Sequence, residues 1–247
     1  MILLSIDFET SGLDPEKNEI TEVGAVLWST SFHRAMETAS YFVQTSAPLS
    51  KEITDLTGIN SAMLTKFGYP QEIAYENLED MIEQADAFVG QNVIRFDKRF
   101  LEAWAKKNGK TIPEKLWIDT RTDLPGVKSK HLGYMAADAV DPATGRPCGF
   151  LNPFPHNAVS DCLTVLRLID MHPIDAVVAR AKQPTVVLQS HQERQDNGAA
   201  RKLGFVWNPK YGIWWIGAKE GDVEGIVKSA PFNISIEKIP LEQLWYD

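Results

Sequence analysis

The chain has 247 residues, a formal net charge of −8 at pH 7, and 44% apolar and 23% charged residues. This composition excludes an intrinsically disordered protein, because it can bury a core that offsets chain entropy. The excess of 33 acidic over 25 basic residues argues against a protein that coats duplex nucleic acid through a basic surface. It is compatible with an enzyme that handles nucleic acid through bound cations.

The cysteine spacing, the first residues of the chain and the lengths of the apolar runs indicate the cellular compartment. Cys148 and Cys162 are too far apart for a C-x-x-C pair, which predicts reduced thiols. The first residues lack the basic region of a signal peptide, and no apolar run approaches the ~18 residues of a membrane span. We therefore expect a cytoplasmic protein.

The hydropathy pattern predicts strands first and then alternating helices and strands. In chain order we expect strands over residues 2–8, 20–28 and 41–44, a helix over 71–85, a strand over 87–90, a helix over 96–108, a strand over 117–119, and helices over 158–171 and 174–182. The turn-like sequence Gly12-Leu-Asp-Pro15 joins the first two strands as a hairpin. This order predicts an α/β domain with a mixed central sheet flanked by helices.

Pro184 follows a helix-like stretch and predicts a boundary near residue 183, with one domain over 1–183 and a small α+β module over 184–247. In the module we expect strands over 185–189 and 233–237, helices over 192–203 and 219–228, and a hairpin over 205–216.

Four of the seven tryptophans lie in this module. Trp207, Trp214 and Trp215 fit three interpretations: base stacking beside Arg201, Lys202 and Lys210, the core of a small domain, or a docking surface for a protein partner such as a polymerase.

Asp7 and Glu9 are separated by one residue on the first predicted strand. Because strand side chains alternate, both carboxylates point to one face and Phe8 points to the other. A solvated strand face would also explain two acids, but the rest of this strand is apolar. Two close carboxylates repel each other unless a cation lies between them.

Two further candidates lie at predicted helix starts. Asp97 ends the sequence Gln91-Asn-Val-Ile-Arg-Phe-Asp97, where it is either an N-cap or a ligand. His156 and Asp161 are roughly 140° apart if both are helical, and so would not share a face. They reach one point if His156 lies in the loop before the helix and Asp161 in its first turns.

These residues together are typical of a phosphodiester-cleaving site. Hard divalent cations such as Mg²⁺ take oxygen ligands and leave positions for a substrate phosphate. Two such ions ~3.5–4 Å apart stabilise the attacking and the leaving oxygen. A histidine can take the proton from the attacking water. Cys162, next to Asp161, is expected to be a core thiol, since thiolate is a poor Mg²⁺ ligand.

Three ordered motifs now show a resemblance to a family. They are Ser5-Ile-Asp7-Phe-Glu9-Thr10-Ser-Gly12-Leu13, then Gly90-Gln-Asn92-Val-Ile-Arg-Phe96-Asp97, and His156-Asn-Ala-Val-Ser-Asp161. The chain resembles the DEDDh subgroup of the 3′–5′ exonucleases, DnaQ-like proteins with a ribonuclease H-like fold, over roughly residues 1–170. Gln91 departs from the histidine of many relatives, at a position that is not catalytic. The longer segment 138–155 is expected to shape the substrate cleft.

The resemblance implies roles for individual residues. Asp7, Glu9, Asp97 and Asp161 would bind two Mg²⁺ ions, for which Mn²⁺ can substitute, and His156 would be the general base. The substrate would be bound by Phe8, Thr10, Leu13, Asn92 and Phe96, with the backbone around residues 8–10 near the 3′-hydroxyl and base.

The implied activity is removal of nucleotides from a 3′ end, single-stranded or duplex, with release of 5′-monophosphates. DNA is the first choice of substrate. The alternatives are an exoribonuclease that trims RNA 3′ ends, and a non-catalytic binding protein on the same fold. A scaffold has no need for all five of Asp7, Glu9, Asp97, His156 and Asp161, which favours the enzyme.

Overall fold

The computed structural model describes residues 1–125, 131–193 and 197–244. The chain divides into two compact units, Met1–Ala181 and Lys182–Asp247. Over the described residues, no helix has both the length and the apolar character that crossing a membrane requires.

The first unit is built on a five-stranded sheet of order β3-β2-β1-β4-β5. Its elements in chain order are β1 Ile2–Thr10, β2 Ile20–Ser29, β3 Arg34–Phe42, α1 Lys51–Thr57, α2 Ser61–Phe67, α3 Gln71–Gln84, β4 Ala87–Gly90, α4 Asp97–Lys107, β5 Leu116–Asp119, α5 Thr120–Asp123, α6 Leu132–Ala137, α7 Ala158–Asp170 and α8 Ile174–Ala181. Strands β1, β2 and β3 are antiparallel, whereas β4 and β5 continue parallel to β1. The predicted mixed sheet flanked by helices is confirmed.

Alternation along β1 divides the core into two layers. Leu4, Ile6 and Phe8 pack with the apolar sides of α3 and α4. Leu3 packs on the other face with α7 and α8, and the Ser5 hydroxyl on that face donates to the Cys162 carbonyl oxygen of α7 at 3.4 Å. Asp7 and Glu9 follow Leu3 and Ser5 at steps of two, so they lie on the face that α7 covers.

The hydropathy pattern did not predict the elements that bury few side chains. The strand predicted over 41–44 is wrong in its bounds, because β3 runs from Arg34 to Phe42. Most of its residues are exposed at the edge of the sheet, so pairing with β2 forms the strand without an apolar alternation. Helix α1 was not predicted, since it buries no residue. Its signals are the caps, where Ser50 accepts from the Ile53 N–H and Gly58 adopts φ 75°.

The second unit contains a four-stranded sheet of order β7-β8-β6-β9. Its elements are β6 Thr185–His191, α9 Asn197–Lys202, β7 Val206–Asn208, β8 Ile213–Lys219, a 3-10 turn over Glu220–Asp222, α10 Val223–Ser229, β9 Asn233–Glu237 and α11 Leu241–Leu244. The strand predicted over 233–237 and the hairpin over 205–216 correspond to β9 and to β7–β8. The helix predicted over 192–203 is observed from Asn197, and its positions 194–196 lie outside the described residues.

Candidate active site

The close approach of α7 to the first hairpin determines the geometry of the site. Gly24 on β2 pairs with Asp7 on β1. A Cβ atom on Gly24 would lie 2.2 Å from the carbonyl carbon of Ala158, the first residue of α7. Only glycine allows this packing, which brings the first turn of α7 over Asp7 and Glu9.

We expect Gly24→Ala to lower both stability and activity. The added methyl group has to displace α7, which costs about 1–3 kcal/mol, and the displacement carries Asp161 away from β1. Thermal unfolding and nuclease rate measure the two effects. Gly225→Ala is the matched control, because a Cβ there has no heavy atom within 4 Å. Wild-type activity in Gly24→Ala would show that the approach is not needed.

His156 and Asp161 meet through the turn that precedes α7. Asn157 is the N-cap of the helix, and His156 lies in the loop before it with φ 61°. The His156 N–H donates to Asp161 Oδ2 at 3.1 Å. The ligand atoms of Glu9, His156 and Asp161 all lie within 4.8 Å of one another. His156 therefore reaches Asp161 from the loop before the helix, which is one of the two arrangements that the H-x4-D spacing allowed.

Asp97 is anchored to β1 and does not cap its helix. It is the first residue of α4 and only 2% exposed. Its Oδ1 accepts a hydrogen bond of 2.8 Å from the backbone N–H of Phe8. This bond holds the Asp97 carboxylate against the backbone of β1 at the residue between Asp7 and Glu9. Phe96, not Asp97, is the N-cap, and it has no capping side-chain bond.

The carboxyl groups of the cleft hold protons more tightly than usual. Burial, followed by the charge of Glu22, raises the pKa of Glu9 to about 8. Burial also raises the pKa of Asp97 to about 8. The pKa of Asp7 is raised well above its usual range by burial and then by Asp97, Asp161 and Glu9. This mutual repulsion is what a bound cation would relieve, so the donor set fits hard divalent ions.

We expect the stability of the metal-free protein to fall as pH rises. The raised pKa values mean that the folded state binds more protons than the unfolded state between about pH 4 and about pH 8. Stability is therefore highest below this window and is lost through it. Scanning calorimetry in EDTA should give a lower Tm at about pH 8 than at about pH 5, and Mg²⁺ should raise Tm more at the higher pH. A metal-free Tm that is equal at both values would contradict the repulsion.

Several polar residues that the sequence did not single out support the site. Asn152 donates to Asp161 Oδ1 and accepts from the Ser160 hydroxyl at 2.6 Å. Asn157 Nδ2 donates to Glu22 Oε1 at 2.9 Å, which ties the start of α7 to β2. Glu22 is buried directly opposite Glu9. Glu22 could have been predicted as a site residue from the sequence, because it is an acid within the mostly apolar sequence of β2.

A second network forms the wall of the cleft next to β4 and β5. Asn92 has φ 60°, and its N–H donates to Asp119 Oδ1 at 2.9 Å. Its Oδ1 accepts from Arg121 Nη1 at 2.5 Å. Burial raises the pKa of Asp119 to about 6. Arg121, held by Asn92, brings a positive charge to the cleft that four carboxyl groups also line.

The resulting cleft has a volume of about 370 Å³. Its lining includes, of the predicted site residues, Asp7, Phe8, Glu9, Asn92, Phe96, Asp97, His156 and Asp161. Thr10 and Leu13 are not among the lining residues. The Thr10 hydroxyl donates to the Gly12 carbonyl at 2.6 Å, and the side chain of Leu13 is 79% exposed.

Phe8 and Cys162 have side chains in the core. The Phe8 ring packs edge-on against Trp104, with ring centroids 6.4 Å apart, so only its backbone is available to a substrate. The Cys162 thiol is buried and donates to the Gly24 carbonyl at 3.3 Å. Burial raises its pKa well above the usual range, in keeping with a core thiol.

A fold with an acidic cleft at the end of β1, completed by a histidine before α7, defines a class of nucleases. A family model described as exonuclease (RNase_T) matches residues 4–169. The chain belongs to this exonuclease family, and the predicted resemblance to its DEDDh members is confirmed.

Curated relatives are much longer proteins. The chain is 31% identical over 172 residues to a PolC-type DNA polymerase III of Thermotoga maritima, an alignment that covers 67% of this chain and 12% of that protein. It is 34% identical over 114 residues to a PolC-type DNA polymerase III of Caldanaerobacter subterraneus, covering 46% and 8%. The chain thus spans about a tenth of the length of these relatives.

Solved structures share the fold. The zinc-bound complex of E. coli ExoI with single-stranded DNA superposes with a TM-score of 0.59 at 13% identity, covering 87% of this chain and 50% of that one. The nuclease domain of 3′hExo, a DEDDh family member bound to rAMP, has a TM-score of 0.51 at 20% identity, covering 68% and 90%. The predicted ribonuclease H-like fold is confirmed.

Proposed function

We propose that this protein is a divalent-metal-dependent 3′–5′ exonuclease that hydrolyses DNA ends and releases 5′-monophosphates. The observation that carries the proposal is the convergence of Glu9, His156 and Asp161, whose ligand atoms lie within 4.8 Å of one another. Asp7 and Asp97 line the same cleft. A non-catalytic protein would gain nothing from buried carboxyl groups that repel one another.

Asp7, Glu9, Asp97 and Asp161 would hold two Mg²⁺ ions, for which Mn²⁺ can substitute. When bound, such ions supply positive charge that stabilises the attacking and leaving oxygens of a phosphodiester. The raised pKa values of Glu9 and Asp97 imply that these groups lose protons on metal binding.

His156 would accept the proton of the attacking water. It is exposed at the rim of the cleft, and its backbone N–H is held by Asp161. The water oxygen forms a bond to the terminal phosphorus, and the bond from phosphorus to the 3′ oxygen of the preceding nucleotide breaks. That oxygen leaves with the bonding electron pair and takes a proton from solvent water to become the new 3′-hydroxyl, and the terminal nucleotide departs with its 5′-phosphate.

Substrate contacts follow from what lines the cleft. The backbone at Phe8 and the side chains of Asn92 and Phe96 line the cleft and would border the terminal nucleotide. Leu13, which is exposed, and Thr10 would act at its edge. The guanidinium of Arg121, oriented by Asn92, is available to the substrate phosphate.

DNA is the proposed substrate because the curated relatives are named as DNA polymerases. The test is one panel of single- and double-stranded DNA and RNA, labelled at the 5′ end or the 3′ end, with Mg²⁺ or with EDTA. We expect 5′-labelled DNA to shorten stepwise in Mg²⁺ only, and 3′-labelled DNA to release its label as a mononucleotide at once. Shortening of RNA alone would assign the exoribonuclease, and activity in EDTA would refute the proposal.

A further inference from the structure

The second unit contains a segment whose charge is opposite to that of the chain. Residues 197–219 include four basic residues, Arg201, Lys202, Lys210 and Lys219, and no acidic residue, in a chain with 33 acids. The same segment includes three of the seven tryptophans. It comprises α9, β7 and β8 of the second unit.

The three tryptophans have different environments. Trp215 is 5% exposed and packs with Val187 and Leu244 on one face of the sheet, as expected for a core residue. Trp214 points to the other face and is directly opposite Trp207 in the pairing of β7 with β8. Trp207 lies on an edge strand and is 50% exposed.

Two aromatic rings and a guanidinium group lie together on this second face. The rings of Trp207 and Trp214 have centroids 6.0 Å apart and are tilted by 53°. The Arg201 guanidinium carbon lies 5.4 Å from the centre of the Trp214 ring, within the range of a cation–π interaction. Lys202 follows Arg201 in the last turn of α9, and both are exposed. Lys210, in the turn between β7 and β8, is not part of this group: its ammonium lies over Tyr211 at 5.3 Å, and the Tyr211 hydroxyl donates to Gln243 of α11 at 3.2 Å.

We propose that this aromatic–basic patch (Arg201, Lys202, Trp207 and Trp214) binds single-stranded nucleic acid. A base stacks on the exposed ring of Trp207, and the basic side chains contact the phosphates. Such a surface accepts any base, since every base has a π face, and it favours single strands because only unpaired bases can leave their stack. This proposal rests on the proposed function in one respect only: the single strand that the patch binds would be the one that the exonuclease shortens.

The test is binding by the full chain in EDTA, measured as fluorescence anisotropy of a labelled oligothymidylate of about 16 nucleotides. In EDTA the acidic cleft repels phosphates, so the patch dominates binding. We expect Trp207→Ala to weaken binding roughly 5- to 150-fold, and Trp207→Phe to retain most of it. Val206→Ala is the matched control, because Val206 is adjacent on the same strand, similarly exposed, and directed to the opposite face.

A second variant tests the phosphate contact while leaving both tryptophans in place. Arg201→Gln on the exposed side of α9 should lower the slope of log affinity against log salt by about 0.7. Wild-type affinity in Trp207→Ala and an unchanged salt slope in Arg201→Gln would together overturn the proposal. If Trp207→Ala lowers the Tm, the Arg201→Gln slope decides alone.

The binding experiment needs no turnover, so its failure is distinct from that of the proposed function. A protein that binds the oligothymidylate through Trp207 and hydrolyses nothing in Mg²⁺ would refute the exonuclease and support the patch. A protein that hydrolyses DNA ends with wild-type rate and affinity in both variants would support the exonuclease and refute the patch.

Discussion

Replacement of Asp7 by asparagine is expected to abolish hydrolysis and, at the same time, to raise the Tm of the metal-free protein. The carboxylate is one of four that line the cleft, and it is surrounded by the charges of Asp97, Asp161, Glu9 and Glu22. Asparagine has nearly the same shape but no charge, so a cation loses a ligand while the remaining carboxyl groups lose a repulsive neighbour.

The two effects are measured separately. The hydrolysis rate in Mg²⁺ should fall at least as far as on loss of a general base, about 10²–10⁴-fold. The Tm in EDTA at about pH 8 should rise by about 2–4 °C for each kcal/mol of repulsion removed. Glu37→Gln, on the exposed part of β3, is the control that removes a charge outside the site and should change neither quantity. A lower metal-free Tm in Asp7→Asn would mean that the carboxylate stabilises the fold.

Replacement of His156 by asparagine is expected to lower kcat about 10²–10⁴-fold. Asparagine is the better choice than alanine, because residue 156 has φ 61° and asparagine tolerates this conformation. The His156 N–H would still donate to Asp161, so the carboxylates should keep their positions. The fall in kcat then measures the contribution of the imidazole and not a rearrangement of the loop.

His33→Asn is the matched control, since His33 also has a positive φ and pairs with Asp170 far along the chain. Single-turnover rates in Mg²⁺ measure the effect of both substitutions on the chemical step. A kcat of His156→Asn within a few-fold of wild type would show that His156 is not the general base.

The charge of the chain has a different meaning once the site is known. Four of the 33 acidic residues line one cleft, and Glu22 is buried beside them. The segment 197–219 carries only positive charges. The net value of −8 therefore conceals two local fields of opposite sign, an acidic cleft that would repel phosphate without cations and a basic patch that would attract it.

The family and the main elements of the first domain could be predicted from sequence because their signals are local. The D-x-E pair required only the alternation of side chains along β1. The helices α3, α4 and α7 bury one side of an amphipathic pattern, so their spacing is visible. Helix α1 and the edge strand β3 bury almost nothing, and their formation depends on caps and on pairing with β2.

The sequence by itself determined which residue types meet: four carboxylates and a histidine, in three ordered motifs. Only the tertiary structure decided how they meet. The absence of a side chain at Gly24 lets α7 approach the hairpin, and the left-handed turn at His156 brings its ring to Glu9 and Asp161. Likewise, the tryptophans of the second unit were equivalent in sequence, and the pleat of β8 separated the buried Trp215 from Trp214 and the exposed Trp207. Both outcomes depend on contacts between residues far apart in the chain, which spacing and composition do not encode.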